Sequence, residues 1–343
     1  MIISLEIFIS RKRNLAIYDF HESFSHFFNG VGQQILNLVW FGVAIFIYGK
    51  FQLRFSLFEF SSSSIVDWTW VMLLTDFCWY WGHRVSHRCN LFLASHDTHH
   101  QARDFNHASA LRQSWSSRPF MFIFFLPLAF LGVSFEMALI AQFANTFLQF
   151  LTHNGVYMKP IPLFDWIFVI PRTHKIHHGN EAPYLDKNFG GVLILWDRIF
   201  GTYTDLVEGA ELKIGPHHAF NHLDAWQSNV QPFQRLWRCL KSQKSLANQI
   251  RILFGTPESL EAILSKSLIP GIDVMPLKRK FTDKLRTRFY SLVLLQIASV
   301  LTLMIAWKEL SLVPRIALCI LTFAAVLLGS KMLYMPKGLS HEI

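Results

Sequence analysis

Residues 76–100 read DFCWYWGHRVSHRCNLFLASHDTHH. An aromatic, apolar run gives way at Gly82 to His83 and His87, four apart, and then to His96, His99 and His100, three and four apart. A third group, His174, His177 and His178, repeats the spacing downstream. Positions three and four apart share one face of a helix, so each group aims its imidazoles at a common point. The sixteen histidines of this chain of 343 residues are therefore organised, and their organisation is the feature to explain.

Hydropathy says where these groups sit. The chain is 52% hydrophobic and 15% aromatic, too apolar for an ordinary soluble protein of this length, so the surplus is expected to face lipid. Apolar runs approaching a bilayer crossing lie at Val31–Tyr48, Ile65–Trp81, Pro119–Leu151, Phe289–Trp307 and Ile316–Leu333. The third would reach about 50 Å as one helix, against a hydrocarbon core of about 30 Å. It reads as a helical hairpin turning near Gly132 to Phe135. A hairpin returns the chain to the side it left, which lets all three histidine groups meet at one membrane surface. His153, at the end of the returning arm, is a fourth contributor.

Charge sets the expected orientation. Most of the Lys and Arg residues fall on the histidine side of these crossings, and Arg11-Lys12-Arg13 contrasts with the sparse loop 49–64. That asymmetry predicts a multi-pass membrane protein with its histidine site on the cytoplasmic side. The net charge of +9 does not point to nucleic acid, because the aromatic residues lie in apolar runs and are not interleaved with basic ones. Cys78, Cys89, Cys239 and Cys319 have no CxxC spacing, so neither a thiolate zinc site nor a disulfide framework is expected. Met1 to Ser10 is apolar but too short to span and lacks a small-residue cleavage site, so it reads as an interfacial anchor or the stub of a helix.

Clustered imidazoles without a cation would suffer desolvation and mutual repulsion on protonation, and a bound metal removes both penalties. The expected ligands are His83, His87, His96, His99, His100, His153, His174, His177 and His178. That number oversupplies a single catalytic zinc, which takes three protein ligands and a water. Imidazole also suits iron and copper, and a paired-metal site suits O2 chemistry better than hydrolysis. Asp76, Asp97 and Asp165 are the carboxylates expected to orient ligand N–H groups. Arg112 and Gln113 are candidates to contact a lipid headgroup or cofactor. Trp79, Trp81, Phe189 and Trp196 are candidates to shield the site. His107 and the pair His217-His218 are weaker site candidates, and His21, His26, His222 and His341 read as ordinary hydrogen-bonded histidines.

HRVSH (83–87), HDTHH (96–100) and HKIHH (174–178), followed by NFGGVLILWDRIFGTY (188–203), resemble the fatty acid hydroxylase and sterol desaturase superfamily. NHASALRQS (106–114), HHGNEAPYLDKNFGGVLILWDRIFGTY (177–203) and GPHHAFN (215–221) are similar to its alkylglycerol monooxygenase-like branch. The resemblance covers about Tyr18 to Phe233. It implies a two-iron, O2-dependent hydroxylation of a lipid beside an ether oxygen, giving a hemiacetal that collapses to an aldehyde. It also implies a tetrahydropterin reductant, where sterol and fatty acid relatives use cytochrome b5 or another electron-transfer partner. The chain departs from the pattern in having an isolated His153 where a His pair is expected. The membrane helix expected ahead of Arg11 is reduced to a stub, an expectation of a shortened N terminus.

The expected fold is all-α: an integral membrane helical bundle with a cytoplasmic histidine-rich helical cap. Residues 1–30 form an N-terminal interfacial segment, 31–235 the di-iron membrane domain, 236–287 a basic cytoplasmic linker and 288–343 a C-terminal membrane hairpin. Alternative readings keep the site for sterol or fatty acyl hydroxylation or desaturation, or make it a metal-binding scaffold without turnover.

Overall fold

The computed structural model describes residues 1–156, 159, 162–209, 211–216, 221–264 and 276–335. Among them the expected all-α fold is realised by helices α1 (Ile2–Lys12), α2 (Phe20–Phe55), α3 (Ile65–Arg88), α4 (Asn90–Ala94), α5 (Asp97–His100), α6 (Ser117–Leu131) and α7 (Phe135–Thr152). There follow α8 (Phe164–Ile167), α9 (Pro171–His177), α10 (Leu195–Ile199), α11 (Ala225–Lys241), α12 (Leu246–Leu253), α13 (Pro257–Leu264), α14 (Asp283–Ile305) and α15 (Leu312–Met332). A two-residue strand pair, Leu277–Lys278 with Tyr334–Met335, is a minor addition.

Helix ends follow local chemistry. The Asp19 carboxylate accepts the backbone N–H groups of His21 and Glu22 to start α2, and the hydroxyls of Ser64 and Ser134 accept those of Asp67 and Met137 to start α3 and α7. Gly132 ends α6 in the left-handed region at φ +103°, where a Cβ would come within 1.8 Å of the Phe58 carbonyl oxygen. The hairpin read from Pro119–Leu151 is thus α6 and α7, turning at Gly132.

Helices α2, α3, α6 and α7 form the bundle, with Tyr48, Val71, Phe125, Leu128 and Ala138 in its core. The hairpin turn is tied to the end of α2, since Tyr48 Oη donates to Val133 O at 3.0 Å and Leu57 N to Phe130 O at 3.0 Å. This fixes the opposite end as the one that carries the histidines. The α14–α15 hairpin packs on α2 through Phe28, Phe289 and Val326.

Three helices, α2, α14 and α15, are long and apolar enough to cross a membrane, and the chain is an integral membrane protein. The expected crossings α3, α6 and α7 are not among them. With 15 residues, α6 reaches only about 22 Å. On α3 and α7 some inward positions are polar, with Asn145 donating to Asp76 at 2.7 Å between them. That pair is satisfied inside the bundle, as a lipid-facing exterior demands. With 36 residues α2 is longer than one crossing, and its N-terminal half buries the polar side chains of Ser25, Asn29 and Gln33 as well as Phe28.

Helix α1 docks on the protein instead of lying free. Leu5 and Phe8 are exposed, while Glu6 is buried and accepts from the Tyr18 hydroxyl, from His107 N at 2.9 Å and from Gly155 N at 2.7 Å.

Candidate metal centre

The nine expected ligands converge. His83 and His87 end α3, His96, His99 and His100 lie on and beside α5, His153 caps α7, and His174, His177 and His178 lie on and just after α9. They form two groups: His83, His87, His96, His100 and His177 in one, and His99, His153, His174 and His178 in the other, with the ligating atoms of each group within 4.8 Å of one another. Two sequence boxes are split between the groups. His96 and His100, one turn apart, face the first while His99 turns to the second; His174 and His178 face the second while His177 turns to the first. The groups abut, with the His100 and His178 rings stacked at 4.6 Å.

Backbone carbonyls orient the rings. Nδ1 of His83, His99, His153 and His177 lies 2.8, 2.8, 3.0 and 2.9 Å from the carbonyl oxygens of Phe189, Arg112, Gln149 and Lys187. A carbonyl only accepts, so each Nδ1 carries the proton and each Nε2 presents a lone pair to the cluster. Burial, reinforced by neighbouring imidazoles, pushes the ring pKa of His99 down to about 4 and that of His153 to about 3. It holds His96, His100, His174, His177 and His178 well below the usual value. All are therefore neutral at pH 7, the form that binds metal.

The donor set fits metal ions. Nε2 of His83, His87, His177 and His178 and Nδ1 of His174 are buried without a hydrogen-bond partner. Buried polar atoms left in that state are costly, and coordination to a cation would satisfy the four Nε2 atoms. All-imidazole donors suit iron, copper, nickel or zinc.

The carboxylates expected to orient the ligands do other work. Asp76 accepts from Val192 N at 2.8 Å, Leu193 N at 3.0 Å, Trp196 Nε1 at 2.9 Å and Asn145, so it staples the loop 188–196 to α3 and occupies Trp196. Asp97 accepts from Gln101 at 3.0 Å, and Asp165 lies 3.9 Å from Arg172. The carboxylate beside a ligand is Asp186, 3.7 Å from His87 Nδ1 and paired with Arg88 at 2.5 Å. Sequence reading missed it, although it lies within the quoted 177–203 stretch. Asp197, raised to about 6 by burial, accepts from Phe189 N at 2.7 Å, and so positions the carbonyl that holds His83.

Arg112 is fully buried and its guanidinium is spent inside the protein, on Thr98 O at 2.8 Å, Ser25 Oγ at 2.9 Å, Gln101 Oε1 at 2.9 Å and His222 O at 2.8 Å. It is a strut: four of its five N–H groups are held by the protein, and the residue is fully buried, with no surface to offer a headgroup. Gln113 donates to Ala110 O at 3.1 Å and approaches His99 Nδ1 at 3.5 Å. Phe189 packs 5.3 Å from His87 and Trp79 5.6 Å from His83, whereas Trp81 packs on Tyr80 and Phe200. Phe105, not singled out in the sequence, stacks on His153 at 5.5 Å. His107 pairs with Glu6 at 2.6 Å, outside both groups, and His217 and His218 lie outside the described residues. His21, His26 and His222 are bonded to Arg279 O, Asp104 and Glu22, and His341 also lies outside the described residues.

A cavity of about 510 Å3 reaches His87, His100, His177 and His178. Its walls include Leu93, Ala94, Leu185 and Leu260, and Asp186, Arg235, Glu258 and Glu261 add charged groups. The volume is in the range of about 300–1,000 Å3 usual for small-molecule sites.

Fold and site together define a class: a helical membrane protein with paired histidine clusters at one end of its bundle. Residues 68–202 match the model of the fatty acid hydroxylase family, the resemblance carried by the histidine boxes. The chain is 32% identical over 230 residues to an alkylglycerol monooxygenase of Xenopus tropicalis, covering 66% of this chain and 50% of that protein. It is 34% identical over 192 residues to the Homo sapiens alkylglycerol monooxygenase (55% and 42%). It is 28% identical over 154 residues to an ornithine lipid hydroxylase of Rhizobium tropici (42% and 44%). The chain spans about half the length of the curated relatives it matches. No solved structure matches it.

Proposed function

We propose that the chain is an O2-dependent lipid monooxygenase with two histidine-held iron ions, acting on alkylglycerol ether lipids. The observation that carries this reading is the pair of abutting all-histidine clusters, of five and four donors, reached by a cavity with an apolar wall. The names of the relatives support the lipid and the ether bond.

Iron held by these histidines would supply O2 activation, with electrons coming from a tetrahydropterin or another electron-transfer partner. The protein contributes four things. The two histidine groups would hold the two ions, with His83, His99, His153 and His177 oriented by backbone carbonyls. Phe189 and Phe105, against the rings, keep water from them. Leu93, Ala94, Leu185 and Leu260 offer an alkyl chain a dry wall, and Asp186, Arg235, Glu258 and Glu261 offer hydroxyls of a headgroup hydrogen bonds. Hydroxylation beside an ether oxygen gives a hemiacetal, which breaks down to an aldehyde and a free alcohol. Charge asymmetry supports a cytoplasmic orientation of the histidine end.

The test is anaerobic iron loading of the full chain, then O2 with a tetrahydropterin and a panel of ether lipids, sterols and fatty acyl lipids, with mass analysis of products. An aldehyde from the ether lipid supports the proposal. A new double bond in a sterol or acyl chain would replace the reaction, and no lipid-dependent O2 uptake would leave a metal-binding scaffold.

A further inference from the structure

Between Asp224 and Glu258 the chain has no acidic residue but carries Arg235, Arg238, Lys241, Lys244 and Arg251. This basic stretch is α11 and α12, both outside the region that matches the family model. It is sharply two-sided. Gln231, Pro232 and Arg235 on α11 line the histidine cavity. The opposite face, at helical spacing, carries Trp226, Val230, Phe233 and Trp237, with Trp237 58% exposed. On α12, Ile252 is buried against α4 and α11 while Leu246 and Ile250, one turn apart, are 70% and 49% exposed, and Phe254 follows at 58%.

Isolated exposed hydrophobics are common, but here each helix carries apolar residues exposed along one face with cations beside them. Lys241 sits over the Trp237 ring at 5.1 Å. The apolar face of α11 also continues into the membrane-crossing surface. Trp226 packs near Trp115, which contacts Phe323 of the membrane helix α15 at 4.8 Å, and Phe233 meets Phe120 of α6. A helix pair with Trp and Leu on one side, Lys and Arg at its flanks and no acidic residue has the make-up of an interfacial element on negatively charged lipid.

We propose that α11 and α12 lie in the headgroup region of an anionic leaflet, with Trp237, Leu246, Ile250 and Phe254 immersed and Arg238, Lys241, Lys244 and Arg251 on lipid phosphates. The immersed stripe and the cavity wall are opposite faces of α11. Seating the helix therefore sets the cavity at headgroup depth. This inference does not depend on the reaction catalysed.

The test uses the full chain, with Cys319→Ser to limit background labelling, in lipid nanodiscs of phosphatidylcholine with or without phosphatidylglycerol. Spin labels at Leu246→Cys, Ile250→Cys and, as a control on the same helix, Asn248→Cys are scored for collision with O2 and with a water-soluble nickel chelate. A several-fold higher O2-to-nickel ratio at 246 and 250 than at 248, larger with phosphatidylglycerol, is expected. Combined Lys241→Glu, Lys244→Glu and Arg251→Glu should remove the phosphatidylglycerol effect. Equal nickel access at all three positions, as on a face reserved for a soluble protein, overturns the proposal. A ratio indifferent to phosphatidylglycerol overturns the anionic preference.

Discussion

The Nε2 atoms of His153 and His174 face each other across 3.2 Å, although both rings are neutral at pH 7. His153 Nδ1 already donates to Gln149 O, so its Nε2 offers only a lone pair at this contact. Two nitrogens brought this close beside His99 and His178 make a four-donor set with nothing to spare.

The five-donor group has one imidazole more. His153→Ala is therefore expected to lower bound iron from about two towards about one per chain, while His96→Ala keeps most of both ions. Elemental analysis after reconstitution checks this, and equal losses in the two variants would contradict the division into unequal groups.

Arg112 is expected to matter for folding, not for substrate affinity. Arg112→Ala removes the guanidinium donor to Gln101 Oε1, while Ser25 Oγ, Thr98 O and His222 O each lose one bond, and it should destabilise the protein by about 1–3 kcal/mol or more. Lysine lacks the planar fork and should not rescue it. Thermal melting in detergent reads the loss. A variant with unchanged melting and a raised KM would instead make Arg112 a headgroup contact.

Glu6 ties α1 to the loops around His107 and Gly155. Burial pushes its pKa up, but the hydrogen bonds from His107, Tyr18 and the backbone outweigh that and hold it below the ordinary value. A carboxylate depressed on folding adds stability above its unfolded pKa, about 4.3, and that stability fades as pH falls through the folded value. Glu6→Gln should lower the melting point at pH 7, with the gap to the parent protein narrowing in acid. A gap that widened in acid would contradict this sign.

Leu185 lines the cavity and is not one of the nine clustered histidines. Leu185→Trp should raise KM for a lipid several-fold and leave iron content unchanged, as turnover and elemental analysis will show. Lost iron would mean that the cavity wall also supports the metal site.

Much of this site was legible because its information is local. Spacing of three and four brings His83 to His87 and His174 to His178, and Gly132 marks a turn that no other residue would fill as easily. The contacts that were not legible join distant parts of the chain. Nothing in the sequence around Asp76 says that its carboxylate is consumed by the loop at 192–196, or that Glu6 reaches His107 and Gly155. Arg112 read as a headgroup or cofactor contact because the four acceptors that take up its guanidinium come from α2, α5 and its C-terminal end, and the segment before α11. Hydropathy likewise overstated α3, whose inward polar groups find partners only once α7 packs beside it.

The four carbonyls that fix the imidazole tautomers belong to the main chain, so no single side-chain replacement can delete them. Genetic drift at 112, 149, 187 or 189 can alter stability while the acceptor itself persists. An insertion or deletion of one residue in those segments would carry the oxygen away from its ring. The centre should therefore be far less forgiving of length changes than of substitutions beside it.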